Sequence, residues 1–146
     1  MRLDPPEASR RAATADHGVL GTLRAGAGPD LVPACFAIEG DLVAIPVDTV
    51  KAKASGEVQR ARNLEANVHA TLLVEHWNAA DWSRLWWVRL RLEHSDEDAA
   101  TTDRLADRLR ARYPQYRHDP FAAVLTFRIT EVTGWSADPG VGRRHA

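Results

Sequence analysis

Two lysines, Lys51 and Lys53, stand two positions apart in a chain whose other basic residues are all arginine. They follow an apolar run that ends at Val47 and precede Ser55, a residue suited to cap the start of a helix. Residues two apart in an extended segment point to one side, so both ammonium groups can face a single anion. Arg60 and Arg62 lie on the helix that would follow, whose N-terminal amides can add partial positive charge toward the same anion. The pattern indicates a phosphate site, and a solvated basic turn is the alternative.

Four of the five tryptophans fall between positions 77 and 87. Such large aromatic side chains are costly to leave in water, so they are expected in the core, in an interface or in the wall of a ligand site. Alternation along the strand predicted there directs Trp86 and Val88 to the interior and Trp87 and Arg89 to the opposite face. A face that mixes an aromatic ring with charged groups is typical of an interface rim or a wet pocket.

Cysteine, histidine and tyrosine residues do not form a recognisable catalytic motif. Cys35, the single cysteine, lies in an apolar segment and is expected to be a small buried side chain rather than a nucleophile. His69 and His76 are seven positions apart on one predicted strand and therefore point to opposite faces. We accordingly predict no metal site. Tyr113 and Tyr116 are the only phenols, and the sequence assigns neither of them as a proton donor.

Composition is that of one folded domain: 146 residues, 45% apolar and 27% charged, with a formal net charge of −1. We expect residues 1–137 to form this domain and residues 138–146 to be a disordered tail. No apolar stretch reaches the about 18 residues of a membrane span, and the first residues lack the apolar segment of a signal peptide, so a cytoplasmic protein is predicted. The charge balance argues against nucleic-acid binding, and we expect Arg104, Arg108 and Arg112 to form a solvated helix face.

The elements that would position these residues are six strands and three helices. The strands are predicted over 19–23, 31–38, 42–47, 70–77, 85–92 and 124–132, with a hairpin turn at 39–41. The helices are predicted to begin at Asp4, Ser55 and Ser95 and to end near Asp16, Asn67 and Pro114, with Gly18 as the first C-cap. Consecutive strands of this kind favour a mainly β or α+β fold, a six-stranded antiparallel barrel with three peripheral helices.

Several motifs occur together in this order: LVPACFA at 31–37, PVDTVKAK at 46–53, QRARNL at 59–64 and DWSRLWWVR at 81–89. With YPQY at 113–116 and TGW at 133–135, the chain from about residue 16 to 135 resembles the pyridoxamine 5'-phosphate oxidase-like split β-barrels. More narrowly, it is similar to the actinobacterial branch that uses the deazaflavin coenzyme F420.

The resemblance implies a homodimer that packs face to face, with two cofactor sites at the subunit interface and a small-molecule substrate. It assigns Lys51 and Lys53 to the cofactor phosphate, Thr49 and Ser55 as hydroxyl donors, Pro33 and Val47 as backbone contacts near the ring, and Arg60, Asn63, Trp87 and Arg89 as further candidates. The implied reaction is hydride transfer between coenzyme F420 and a small unsaturated compound. FMN as the cofactor, and a flavin or deazaflavin carrier without turnover, are the alternatives.

Overall fold

A computed structural model describes residues 1–48, 55–118 and 120–138 of the chain. In these residues it contains three α-helices and seven β-strands. They are α1 (Pro5–Thr14), β1 (Gly18–Arg24), β2 (Gly28–Ala34), β3 (Ala37–Glu39), β4 (Leu42–Asp48), α2 (Ser55–Ala66), β5 (His69–His76), β6 (Trp86–Ser95), α3 (Ala99–Arg112) and β7 (Phe121–Ser136). Two short 3-10 helices, Trp82–Arg84 and Pro114–Arg117, lie in connections.

The strands form one antiparallel sheet in the order β2-β1-β5-β6-β7-β4-β3. The long strand β7 pairs along one part with β6 and along another with β4, and the register shifts at Arg91/Leu92 and at Val47/Asp48. Such bulges bend a strand and increase its twist, which lets the sheet wrap around its own apolar face. Leu20, Leu72, Leu90 and Phe127 are buried inside it. The expected α+β class is confirmed.

The predicted count of six strands is wrong, because the segment predicted as one strand over 31–38 is two strands in the structure. β2 pairs with β1, whereas β3 pairs with β4 through the hairpin whose turn was predicted at 39–41. Between them, the backbone N–H of Phe36 donates to Tyr113 Oη at 3.2 Å instead of to a neighbouring strand. Its carbonyl accepts from Arg112 Nη1 at 3.1 Å. These partners replace the ladder hydrogen bonds of a continuous strand.

Arg112 was expected on a solvated helix face, but it turns toward the barrel. Besides binding Phe36, it donates from Nη2 to the carbonyl of Ala15, which lies between α1 and β1. Tyr113 Oη donates at 2.7 Å to the carbonyl of Asp16 in the same connection. Burial raises the pKa of Tyr113, so the phenol keeps its proton. The end of α3 therefore fixes two distant chain segments at once.

Two of the three helix starts follow the sequence signals. The start predicted at Ser95 is wrong, because Ser95 ends β6 and α3 begins at Ala99 with Asp98 as its cap. Asp4 caps α1, its Oδ1 accepting from the backbone N–H of Glu7 at 2.8 Å, and α2 begins at Ser55 as predicted. The predicted C-cap at Gly18 is wrong, because α1 ends at Thr14 and Gly18 opens β1. A Cβ at Gly18 would lie 2.8 Å from the carbonyl oxygen of Leu73, so glycine is required there for close approach of two strands.

The two faces of β6 differ as the alternation predicts. Val88, Leu90 and Leu92 are almost fully buried on the inner face, whereas Trp87 and Arg89 lie half-buried on the other. We call this second side of the sheet, formed by the residues paired with Trp87 and Arg89, the outer face. Within the ranges described, the helices are too short and too polar to cross a lipid bilayer.

Candidate functional site

The outer face carries a row of residues that crosses five strands. Residues directly opposite each other in antiparallel strands share a face, and the register aligns Pro33, Val19, Leu73, Arg89 and Thr133. Adjacent strands are about 4.8 Å apart, so Pro33 and Arg89 are separated by three strand spacings. The structure therefore places two of the predicted cofactor residues on one surface.

Beside this row, the outer face is concave and apolar. A groove of about 440 Å³ is lined by residues that include Gly21, Leu23, Leu31, Thr71 and Arg91. Leu31 is 68% exposed and Leu23 is 44% exposed, which is unusual for leucines on neighbouring strands. Gly21 forms part of the groove floor because it has no side chain between Leu31 and the carbonyl of Thr71. Leu23 and Leu31 therefore leave apolar side chains open to solvent beside the groove.

Trp87 and Arg89 form a pair at the centre of the outer face. The guanidinium carbon of Arg89 lies 5.6 Å from the centroid of the Trp87 ring, within cation–π range. Arg89 Nε is buried without a hydrogen-bond partner in the described part of the chain, and so is Oγ1 of its cross-strand neighbour Thr133. Buried polar groups in native proteins are normally hydrogen-bonded. In the described residues, these two atoms are therefore unsatisfied polar groups that lie side by side on the outer face.

Asn63 and Arg60 belong to a separate group on α2, and both are buried. Asn63 Nδ2 donates to Thr22 Oγ1 at 3.0 Å and to Asp30 Oδ2 at 2.8 Å, and Asn63 Oδ1 accepts from Gln59 Nε2 at 2.8 Å. Both amide protons of Asn63 are thus engaged within the chain. The contacts attach α2 to the β1–β2 hairpin.

The attachment also lowers the pKa of Asp30. The hydrogen bond from Asn63, followed by the contacts with Arg24, lowers the pKa of Asp30 below its ordinary value of 3.8. A carboxylate with a lowered folded-state pKa stabilises the fold above the ordinary pKa, and this stabilisation is lost as the pH falls through the folded-state pKa. Acid therefore weakens the α2 attachment.

Replacing Asn63 with alanine is expected to raise the pKa of Asp30 toward the ordinary value. The free energy of unfolding should then depend less steeply on pH in the acid range. The carbon chemical shift of the Asp30 carboxyl, followed against pH by NMR, measures this directly. Gln59→Ala is the matched control, because Gln59 contacts Asn63 but has no hydrogen bond to Asp30. An unchanged Asp30 pKa in Asn63→Ala would show that Arg24 alone sets it.

One protomer does not bring all candidate residues together. Val47, half-buried near the end of β4, pairs with Ala123, whereas Arg89 pairs with Thr133. These two β7 residues are ten positions apart, about 30 Å along an extended strand. Ser55 is the first residue of α2. Thr49, Lys51 and Lys53 lie outside the described residues.

Sequence reasoning missed three residues that the structure places in these groups, namely Thr22, Asp30 and Thr133. Thr22 and Asp30 hold the amide of Asn63, and Thr133 is the cross-strand neighbour of Arg89. Only Thr22 lay on a predicted strand, because Asp30 precedes the strand predicted over 31–38 and Thr133 follows the one predicted over 124–132. Strand order and register are needed to find them.

Comparison with known proteins gives the fold but no sequence family. No family model matches the sequence, and no curated protein sequence matches it. A conserved hypothetical protein from Mycobacterium tuberculosis has a TM-score of 0.70 at 17% identity, covering 99% of this chain and 91% of its own. A candidate pyridoxamine 5'-phosphate oxidase from Corynebacterium glutamicum has a TM-score of 0.60 at 16% identity, with coverages of 92% and 90%.

An FAD-binding protein from Mesorhizobium loti has a TM-score of 0.63 at 14% identity and covers 92% of this chain and 93% of its own. These similarities extend over nearly the whole of each chain, so they concern the complete sheet and its helices. The chain therefore has the fold of the pyridoxamine 5'-phosphate oxidase-like split barrels, here with a seven-stranded antiparallel sheet in the described residues.

Proposed function

We propose that the protein is an oxidoreductase that transfers a hydride between coenzyme F420 and a small unsaturated organic substrate. One observation carries the proposal: the connection from β4, which ends at Asp48, to α2, which begins at Ser55, contains both lysines of the chain. Two ammonium groups two residues apart suit a phosphate anion. The deazaflavin coenzyme has such a phosphate on the ribityl chain of a planar ring system.

The described residues fit a cofactor of this kind. The buried Arg89 Nε lacks an acceptor among them, and Trp87 beside it offers an aromatic surface to a planar ring. Pro33 lies in the same row of the outer face and is the backbone contact proposed for the ring. When bound, the cofactor supplies the hydride chemistry, and the protein supplies binding, orientation and exclusion of water.

Each candidate residue then has a role in binding. Lys51 and Lys53 neutralise the phosphate, Thr49 and Ser55 donate hydroxyl hydrogen bonds to it, and the backbone of Val47 borders the ring. Arg60 and Asn63 contribute through α2, Arg60 by its charge and Asn63 by holding the helix on β1 and β2.

The separation of these groups supports a homodimer with shared sites. If the lysine connection of one protomer lies against the outer face of the other, the phosphate residues and the Trp87–Arg89 pair belong to one site. The exposed Leu23 and Leu31 supply the apolar contact that such packing needs. Sedimentation in solution is expected to give the dimer mass, and a monomer that binds cofactor stoichiometrically would contradict the shared site.

FMN is the second candidate cofactor, because it carries the same ribityl phosphate and because a protein of the same fold from Mesorhizobium loti binds a flavin, FAD. The test is a parallel titration with coenzyme F420 and FMN, followed by tryptophan emission. We expect coenzyme F420 to give the lower dissociation constant of the two. Quenching should report binding of either cofactor, since Trp87 lies in the proposed site. A lower dissociation constant for FMN would overturn the choice of cofactor.

Turnover is tested separately, by steady-state oxidation of reduced coenzyme F420 with a panel of enones and quinones. Oxidation that depends on both the protein and the substrate is expected. Saturable binding without turnover across the panel would replace the enzyme with a cofactor carrier, an alternative that is permitted because the sequence has no recognisable acid or base.

A further inference from the structure

The connection between β5 and β6 exposes two tryptophans that the proposed cofactor site does not use. Trp77 is 58% exposed and Trp82 is 68% exposed. Their ring centroids are 6.3 Å apart and their planes are nearly perpendicular, at 87°. Indoles bury more apolar area than almost any other side chain, so two adjacent exposed ones indicate a binding surface.

The connection holds these indoles in place with local hydrogen bonds. Asn78 Oδ1 accepts from the backbone N–H of Asp81 at 3.2 Å, and Asp81 Oδ1 accepts from the backbone N–H and the hydroxyl of Ser83 at 3.1 and 2.5 Å. At the base of the connection, His76 Nδ1 donates to the carbonyl of Arg84 at 3.2 Å. The exposed rings are therefore presented by an ordered segment, which reduces the entropy lost when a ligand binds.

The charges around the indoles are mainly negative. Trp77 Nε1 donates to Glu75 Oε2 at 3.2 Å, which holds a carboxylate against the indole. Hydrogen bonds from Ser83 lower the pKa of Asp81, so that this second carboxylate is ionised at neutral pH. Arg84 is the one arginine or lysine between positions 75 and 85. Across the strand pair, Glu75 faces Trp87, and the guanidinium carbon of Arg89 lies 5.6 Å from the centroid of the Trp87 ring.

We infer that Trp77, Trp82 and Glu75, here called the indole corner, bind a planar aromatic cation. The flat ring packs on the indoles, and the positive charge is attracted both by the indole faces and by the Glu75 carboxylate. A neutral ring of the same shape gains only the packing, and an anion is repelled. The class of ligand is therefore an N-alkylated or protonated heteroaromatic compound, opposite in charge to the phosphate cofactor proposed above.

Three probes of matched shape test the inference without any cofactor: N-methylquinolinium as the cation, quinoline in its uncharged form at mildly alkaline pH, and 2-naphthoate as the anion. Binding is followed by the NMR signals of the indole Nε1–H groups. We expect N-methylquinolinium to shift the Trp77 and Trp82 signals and to bind about tenfold more tightly than 2-naphthoate. Trp82→Ala should weaken binding of the cation and of the neutral probe.

Glu75→Gln separates charge from packing. This variant keeps the size of an exposed side chain, and it is expected to reduce the preference for the cation over neutral quinoline while quinoline binds as before. Val68→Ala removes an exposed apolar side chain next to the opposite end of β5; it is the control outside the corner and should leave binding of the cation unchanged. Equal affinity for all three probes, shifts confined to other tryptophans, or no binding up to the solubility limit would each overturn the inference. None of these outcomes depends on whether coenzyme F420 binds.

Discussion

Replacing Phe36 with alanine is expected to lower the free energy of unfolding by about 3–5 kcal/mol. The Phe36 ring is fully buried in the main apolar cluster, and the guanidinium carbon of Arg112 lies 4.8 Å from its centroid. Alanine would leave a cavity there and remove this cation–π contact, at the point where β2 gives way to β3. Urea unfolding followed by circular dichroism measures the loss.

Phe121→Ala is the matched control for Phe36→Ala. Phe121 is also a phenylalanine in contact with an arginine, Arg110 at 5.0 Å, but it is half-buried at the edge of the second cluster. We expect less than half the loss, because less apolar area is removed from the interior. Equal losses in the two variants would show that the break between β2 and β3 has no special dependence on Phe36.

Local signals in the sequence predicted most of the elements. The hairpin turn at 39–41, the start of α2 at Ser55 and the alternation in β6 are confirmed, since each depends on residues close together in the chain. The break at Phe36 could not be predicted, because its hydrogen-bond partners Arg112 and Tyr113 lie 76 and 77 residues away. In the isolated sequence, apolar residues on both sides of position 36 look like one continuous strand.

The same distinction applies to the candidate site: some of its residues were indicated by local sequence, and others were placed only by the strand order. Residue type and spacing indicated the phosphate role of Lys51 and Lys53, which stays a prediction. By contrast, only the strand order places Pro33 on the same face as Arg89 and shows that Val47 of β4 pairs with β7 far from the partner of Arg89. Motif order along the chain says nothing about which surface a residue occupies. The fold is therefore required to judge which candidate residues can belong to one site.

Replacing Lys51 and Lys53 together with alanine is expected to weaken the affinity for coenzyme F420 by at least about 100-fold. Hydrogen bonds to charged groups contribute about 1.5–3 kcal/mol each, and about 2.7 kcal/mol corresponds to 100-fold in the dissociation constant. The loss should be larger at low ionic strength, because salt screens the attraction in the wild type. Titration by tryptophan emission at two salt concentrations measures both effects.

Two comparisons decide whether the lost affinity belongs to a phosphate clamp. Binding of the deazaflavin chromophore without its phosphate should be unchanged by the lysine substitutions, since the missing group is the one the ammonium groups would hold. Arg10→Ala with Arg117→Ala removes the same total charge from exposed residues outside the β4–α2 connection, and should leave the affinity for coenzyme F420 within about twofold because exposed charges are screened by salt. If the arginine variant loses as much affinity as the lysine variant, net charge rather than a local site attracts the cofactor. If neither loses affinity, the phosphate lies elsewhere, and the buried Arg89 Nε becomes the first place to look.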